Sequence, residues 1–186
     1  MTNQYSSQIT DAVRVLETGG IVAYPTEGVF GLGCDPANDA ALKRILKIKQ
    51  RDAAKGLIIA ASEIQQLSPY VEPFSEIVES RISPTWPGPV TWIVAARPQI
   101  SNILTGGRNT LAVRVSKHPV ISTLCSSFGH AIVSTSANLA GDPPCLTAAE
   151  TQLRLGELVD HVIDADIGNN QGATIIMDAQ SGERIR

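Results

Sequence analysis

The stretch AYPTEGVFGLGCDP, residues 23–36, joins a short apolar run to a segment rich in glycine. Residues 21–24 are typical of a buried strand, and the run stops at Pro25, which lacks an N–H for a sheet hydrogen bond. Three glycines then fall within six residues: Gly28, Gly31 and Gly33. Because glycine lets a backbone approach a ligand or a neighbouring strand closely, the stretch predicts a close approach beside a strand.

Length and composition favour one compact domain. The chain has 186 residues, of which 43% are hydrophobic, and this suffices for one core. We therefore expect a single domain over residues 1–186 without a C-terminal extension domain. Neither a leader nor a membrane-spanning run is recognisable, so we expect a cytoplasmic protein with no membrane contact. The three cysteines are odd in number and scattered, which argues against a disulfide framework or a metal site.

Charge is unevenly distributed along the chain. The formal net charge is −3, which disfavours long-range attraction to nucleic acid. Six of the 15 Lys and Arg residues nevertheless fall between Lys43 and Lys55. Such a local cluster fits a small polyanion, although a solvated helix face is equally consistent with the spacing.

Helical patterns alternate with apolar strands along the chain. Helices are predicted at residues 9–16, 39–48, 72–82, 119–128 and 147–155, with a short one opened by Ser62 and Gln65. Strands are predicted at residues 21–24, 56–61, 90–96, 111–115, 131–135, 161–163 and 173–177. Because two of these strands follow each other without a helix, we expect an α/β domain with a mixed parallel and antiparallel sheet.

Several common catalytic motifs are absent from the sequence. Gly31-Leu32-Gly33 resembles the start of a dinucleotide fingerprint, but Pro36 stands where the third glycine belongs. The sequence contains no Walker loop, GxSxG or HExxH motif, and its three histidines are far apart. Nothing therefore marks a covalent nucleophile.

Lys49-Gln50-Arg51, with Lys55 close behind, is the first candidate binding element. Side chains two residues apart point the same way only on an extended chain. If Lys49 and Arg51 act together, the preceding helix must end near Ile48. An ammonium beside a planar guanidinium is well suited to a phosphate chain.

Two further elements carry polar groups at or near strands. Ser134, Ser136 and Asn138 in STSAN follow an apolar strand, and such a carboxyl end is where ligands bind in open α/β sheets. A loop with a helix cap is the alternative interpretation of this cluster. Arg114 lies between Val113 and Val115, so it is predicted to be a buried cation that needs an anionic partner, for which a ligand is one candidate.

Taken together, these elements resemble the YrdC-like family, and within it the short bacterial threonylcarbamoyl-AMP synthases. The shared motifs, in order along residues 9–178, are YPTEGVFGLG, KQR with Lys55-Gly56-Leu57, WPGPVT, LAVRV, HP, and STSAN followed by Gly141. The resemblance implies a twisted α/β sheet with flanking helices around a large, positively charged cavity.

The resemblance also implies an activity. Such an enzyme forms threonylcarbamoyl-adenylate and pyrophosphate from L-threonine, bicarbonate or CO2, and ATP, with Mg²⁺ accompanying the nucleotide. Downstream enzymes then transfer the threonylcarbamoyl group to the adenosine next to the anticodon of tRNAs that read codons beginning with A. Weak direct binding of tRNA is compatible with this activity.

Residue roles follow from the matched motifs. The resemblance implies that the nucleotide is bound by Lys49, Arg51, Lys55, Thr110, Ser134, Ser136 and Asn138, with Lys49, Arg51, Ser136 and Asn138 central to catalysis. It implies that threonine is bound by Thr26, Arg114 and Thr174. Related sequences carry a second threonine where this chain has Gly28, and a histidine where it has Ala60.

Two other functions are consistent with the sequence. An RNA-binding module in tRNA or ribosome maturation would use the basic cluster as its contact surface, although single-stranded RNA readers display stacking aromatics and this chain is 4% aromatic. A related fold acting on another carbamoyl or acyl phosphate is the second alternative.

Overall fold

A computed structural model describes residues 5–169, 172 and 174–186. Within them lie the helices α1 (Ser6–Glu17), α2 (Asp39–Ile48), α3 (Glu76–Ile82), α4 (Asn102–Thr105), α5 (Pro119–Phe128) and α6 (Ala148–Leu155). The strands are β1 (Val22–Pro25), β2 (Phe30–Gly33), β3 (Ile58–Ala61), β4 (Val90–Ala95), β5 (Thr110–Val115), β6 (Ile132–Val133), β7 (Thr135–Ser136), β8 (His161–Val162) and β9 (Ile175–Asp178).

The strands form two hydrogen-bonded sheets with orders β7-β2-β1-β8 and β6-β3-β5-β4-β9. Parallel and antiparallel pairs occur in both sheets: β1 is antiparallel to β2 and parallel to β8, while β3 is parallel to β5 and antiparallel to β6. The prediction of a mixed α/β domain is therefore confirmed. Its division into two sheets was not predicted.

The opening stretch folds as a β-hairpin. Strands β1 and β2 pair with Val22 opposite Gly33 and Pro25 opposite Phe30, so residues 26–29 make the turn. A Cβ added at Gly33 would lie 2.5 Å from the Val133 carbonyl oxygen and 2.7 Å from the Tyr24 ring. The predicted close approach to neighbouring strands is thus present at Gly33, because no larger residue fits there.

The predicted strand at 131–135 is wrong in one respect, because it belongs to two sheets. Strand β6 pairs with β3, whereas β7 pairs with β2. Ser134 lies between them, and its amide N–H donates to the Ile58 carbonyl. The chain therefore crosses from one sheet to the other at STSAN, which places this motif where the two sheets meet.

Two apolar clusters bury the sheets. The larger cluster packs α2 against the inner residues of β2, β3 and β5, with Leu42, Ile45 and Ile59 fully buried. In the smaller cluster, α1 and α5 cover β1 through residues such as Leu16 and Leu124. The apolar spacing predicted for these helices is confirmed.

Some element boundaries differ from the prediction. Helix α3 begins at Glu76 rather than residue 72, because Ser75 caps it by accepting from the Val78 amide. The segment after Ser62 is a short 3-10 turn whose glutamine contact comes from Gln66, not Gln65. Helix α4 was not predicted, and Ala173, in the last predicted strand, lies outside the described residues. No helix in the described ranges has the length and apolarity required to cross a bilayer.

Candidate functional site

A cavity of about 240 Å³ is lined by strands of both sheets. Five cationic side chains lie on its walls: Arg51, Lys55, Arg108, Arg114 and Arg186. No Asp or Glu occurs among the described residues that line it. Hydroxyl side chains from both sheets complete the polar part of the lining, so the cavity is suited to an anionic ligand.

The cations at residues 49–51 are placed by the end of α2. The helix ends at Ile48, as predicted, and Lys49 is its C-terminal cap. Gln50 then adopts a φ of 45°, an uncommon conformation for a residue other than glycine. Arg51 lines the cavity beyond this turn, whereas Lys49 is not among the described lining residues. Joint contact of these two side chains with a phosphate chain therefore stays a prediction.

One terminal nitrogen of the Arg51 guanidinium is hydrogen-bonded within the protein. Its Nη2 donates to the Gly56 carbonyl at 3.1 Å, and its buried Nε has no hydrogen-bond partner. Burial, with a smaller effect from neighbouring Arg186, lowers the pKa of Arg51 from its ordinary value. Two neighbouring cations without a carboxylate on the cavity wall favour an anion there.

The Lys49 ammonium is directed at the STSAN segment. It donates to the backbone carbonyl of Ser136, and it lies 3.1 Å from the Asn138 carbonyl oxygen and 2.7 Å from Asn138 Oδ1. Its distance to Ser136 Oγ is 3.3 Å. Burial and the nearby Arg51 lower the pKa of Lys49 to about 8. Lys49 thus holds the crossing between the sheets in this conformation.

Asn138 is likewise occupied within the protein. Its Oδ1 accepts from Ser136 Oγ at 2.7 Å, and its Nδ2 donates to the carbonyls of Leu139 and Asp142, both at 2.9 Å. Ser134 and Ser136 line the cavity, but Asn138 is not among its described lining residues. Contact of Lys49 and Asn138 with a nucleotide stays a prediction, as does that of the two serines.

Arg114 has its anionic partner within the chain. Its Nη1 lies 3.6 Å from Glu27 Oε2, and its Nη2 donates to Ser134 Oγ at 3.4 Å. Arg114 is 3% exposed and its buried Nε has no hydrogen-bond partner. The sequence predicted such a buried cation but did not identify Glu27, which lies in the β1–β2 turn.

Glu27 is fixed from the opposite side. Its Oε1 accepts from Ser116 Oγ at 2.6 Å and from the Lys117 amide at 3.2 Å. Burial opposes ionisation, but Arg114 and these hydrogen bonds outweigh it, and the pKa of Glu27 is lowered. Glu27 and Arg114 are thus a buried ion pair, of which Arg114 lines the cavity and Glu27 does not.

The remaining predicted site residues also line the cavity. They are Thr26, Lys55, Thr110 and Thr174. Thr26 Oγ1 donates to the Val29 carbonyl at 2.8 Å, and Thr174 Oγ1 lies 3.1 Å from Thr91 Oγ1. Ala60 is fully buried in the smaller apolar cluster. Eight of the ten predicted residues therefore meet at one cavity.

Arg108 and Arg186 are lining residues that the sequence interpretation missed. Arg108 donates to the carbonyls of Ala54 and Lys55 at 2.8 and 3.2 Å, and Arg186 lies 3.4 Å from the Thr174 carbonyl oxygen. Arg108 follows two glycines and precedes a strand, a signal that could have identified it. Nothing in the spacing of the sequence singled out Arg186.

The chain is similar along almost its whole length to characterised proteins. The family model Sua5_yciO_yrdC, described as "Telomere recombination", matches residues 14–186. Proteins named threonylcarbamoyl-AMP synthase from Nitrosococcus oceani and Photobacterium profundum are both 46% identical to it, over 94% and 96% of this chain and 95% and 97% of their own.

Solved structures support the same relationship. The P. abyssi Sua5 protein complexed with L-threonine superposes with a TM-score of 0.86 at 29% identity, over 91% of this chain. The chain spans about half of that longer protein (50%). The YciO protein of E. coli superposes with a TM-score of 0.80 at 25% identity, over 91% of this chain and 82% of its own. The chain belongs to the Sua5/YciO/YrdC family.

Proposed function

We propose that this protein is a nucleotidyltransferase that forms L-threonylcarbamoyladenylate and pyrophosphate from L-threonine, bicarbonate or CO2, and ATP. The observation that carries the proposal is the cavity, where every charged side chain among the described lining residues is a cation. Both ATP and a carbamate are anions, so the site must offset several negative charges at once. Relatives with this activity in their name are 46% identical over nearly the full chain.

The proposed reaction needs no covalent protein nucleophile. The threonine amine adds to CO2 and loses a proton, which gives a carbamate. A carbamate oxygen then attacks the α-phosphorus of ATP, a new P–O bond forms, and the bond to pyrophosphate breaks. Catalysis therefore depends on holding two anions in line and on neutralising the charge that develops on the departing pyrophosphate.

The cations on one side of the cavity are suited to the phosphate chain. Arg51, Lys55 and Arg186 lie on its walls without a carboxylate partner in the described parts of the chain. We assign the nucleotide to these groups, together with Thr110, Ser134 and Ser136. Lys49 and Asn138 contribute by holding Ser136 in place, since their polar atoms contact that segment. Arg114, Thr26 and Thr174 are assigned to the amino acid.

A divalent cation would have to enter with the nucleotide. Among the described residues no group of three His, Cys, Asp or Glu is arranged to hold a metal ion, and the described cavity lining contains no carboxylate. These residues do not fit a Mg²⁺ site built by the protein itself. Oxygen atoms of the triphosphate are the ligands that Mg²⁺ bound with ATP would use.

The product would serve tRNA modification. Threonylcarbamoyl-adenylate is an activated acyl group, so downstream enzymes would transfer it to the adenosine next to the anticodon of tRNAs that read codons beginning with A. The RNA-binding alternative is not favoured. Of the basic cluster, Lys43, Lys47 and Lys55 are exposed, whereas Arg44 pairs with Asp160. Each Phe, Trp and Tyr in the described ranges is buried or half-buried.

Omission assays test the proposal. Purified protein is incubated with ATP, Mg²⁺, L-threonine and bicarbonate, and pyrophosphate release is measured with each component left out in turn. We expect release to require threonine and bicarbonate together. Release that continues without either one would contradict the proposed function, because a simple ATP pyrophosphohydrolase would behave in that way.

A further inference from the structure

The five cations of the cavity are not electrostatically equivalent. Arg114 is paired with a buried carboxylate, that of Glu27. The other four, Arg51, Lys55, Arg108 and Arg186, have no such partner in the part of the chain that the structure describes. Arg51 instead has another cation, Arg186, as its neighbour. One cation is therefore neutralised by the protein, and the rest retain their full charge towards a ligand.

The neutralised cation is also buried and oriented by two contacts. Arg114 is 3% exposed, and its two terminal nitrogens are directed to Glu27 and Ser134. The distances of 3.6 and 3.4 Å are long for charge-assisted contacts, so the two terminal nitrogens retain donor capacity for a ligand. Glu27 is itself anchored by Ser116 and the Lys117 amide, which fixes where the guanidinium can sit.

A neutralised guanidinium and a set of unpaired cations select different anions. A polyphosphate with several charges gains most from cations that lack any compensating charge. A monocarboxylate needs one oriented fork of N–H donors, and a nearby negative charge keeps that fork from attracting the phosphate chain. The arrangement in the cavity provides both kinds of subsite.

We propose that Glu27 is a positioning residue that reserves Arg114 for the amino-acid carboxylate, by partly neutralising its charge and fixing its orientation, and leaves the unpaired cations to the triphosphate. This inference rests on the proposed function. It extends that function because Glu27, which is not among the described residues that line the cavity, would determine which substrate binds at which cation.

Glu27→Gln tests the inference, with Asp160→Asn as the matched control. Asp160 is also a carboxylate that holds an arginine, Arg44, and accepts from a backbone amide, but it lies outside the cavity lining. We expect Glu27→Gln to raise the KM for threonine by about tenfold and to leave the KM for ATP unchanged or lower. Asp160→Asn should change neither KM, although it lowers thermal stability.

Ser116→Ala keeps the inference testable if Glu27→Gln does not fold. It removes the 2.6 Å hydrogen bond to Glu27 without changing any charge, so the threonine KM should rise by a smaller factor while that for ATP does not. The inference would be overturned if Glu27→Gln and Ser116→Ala raised the KM for threonine and the KM for ATP equally. It would also be overturned if their KM for threonine matched that of Asp160→Asn. Wild-type protein that releases no threonine-dependent pyrophosphate would instead refute the proposed function, which separates the two failures.

Discussion

Two corners, one in the cavity lining at Arg114 and one next to it at Lys49, hold a buried cation in opposite ways. In one, the Lys49 ammonium is surrounded by neutral oxygens of Ser136 and Asn138. In the other, the Arg114 guanidinium faces the carboxylate of Glu27. Neutral acceptors leave the positive charge of the first corner uncompensated, whereas the carboxylate offsets that of the second. Under the proposed function, the uncompensated charge favours a nearby polyphosphate, and the compensated one is suited to an amino acid.

Loss of Arg51 should have the largest effect, because it is an uncompensated cation on the wall beside Lys49. We expect Arg51→Ala to lower kcat by about a hundredfold or more, as removal of one electrostatic stabiliser typically does, without loss of the fold. Steady-state pyrophosphate release and circular dichroism check the two parts. Lys47→Ala, which removes an exposed cation from the preceding helix α2, is the control and should stay active. Normal activity of Arg51→Ala would exclude it from the site.

Lys49→Met should have the next largest effect. The methionine fills similar space but removes the charged donor from the oxygens of Ser136 and Asn138, at a cost of about 1–3 kcal/mol. We expect kcat/KM for ATP to fall by about tenfold to a hundredfold, with a lower melting temperature. A variant with normal stability and normal kcat/KM would show that the ammonium does not hold this corner.

Lys49 should affect activity as the pH rises, whereas Glu27 should affect stability as the pH falls. Burial and Arg51 lower the pKa of Lys49 to about 8, so the group is protonated below that pH and loses its proton above it. Activity that depends on the ammonium should therefore decline as the pH rises through about 8. The ratio of wild-type to Lys49→Met rates removes the effect of pH on the CO2–bicarbonate equilibrium. A ratio that stays constant from pH 7 to 9, about one unit either side of that pKa, would contradict this assignment.

The contribution of Glu27 to stability should be lost in acid. The pKa of Glu27 is lowered in the folded protein, so its contribution to the free energy of unfolding is present above its ordinary pKa and is lost as the pH falls below it. The pKa of nearby His118 is also lowered, mainly because the ring is buried. The contribution of His118 to the free energy of unfolding therefore decreases too as the pH falls, starting near the ordinary pKa of a histidine. Melting temperatures of wild type should decline from pH 7 to 3, and Glu27→Gln should flatten the part of that curve below the ordinary pKa of a glutamate. Parallel curves for the two proteins would refute the assignment to Glu27.

The sequence predicted elements that local signals define. Helix α2 ends at Ile48 and α5 spans Pro119–Phe128 as predicted, because apolar spacing and a proline at the first turn are local features. Strand β2 escaped prediction because its sequence, FGLG, has two glycines and too few side chains to show a strand pattern. The division of residues 131–135 between two sheets depends on pairing with residues about 75 to 105 positions away in the chain, which no local pattern encodes.

The site was predictable to a similar extent. The hydroxyl and cationic residues in the motifs meet at one cavity, but the orientation of Lys49 depends on the left-handed turn at Gln50, for which the sequence carries no signal. Glu27 was overlooked because a lone carboxylate beside Thr26 gives no indication of its distant partner Arg114. Pairing of buried charges across the fold is a tertiary property, and residue types alone do not specify it.

The identity of the product shows directly whether the protein forms threonylcarbamoyl-adenylate. The protein is incubated with ¹⁴C-threonine, α-³²P-labelled ATP and ¹³C-bicarbonate, and the adenylate is separated quickly and analysed by radioactivity and mass spectrometry. We expect one product that carries both radioactive labels in equal amounts together with the bicarbonate carbon. A threonyl-adenylate without that carbon, or AMP and pyrophosphate without a joined threonine, would contradict it.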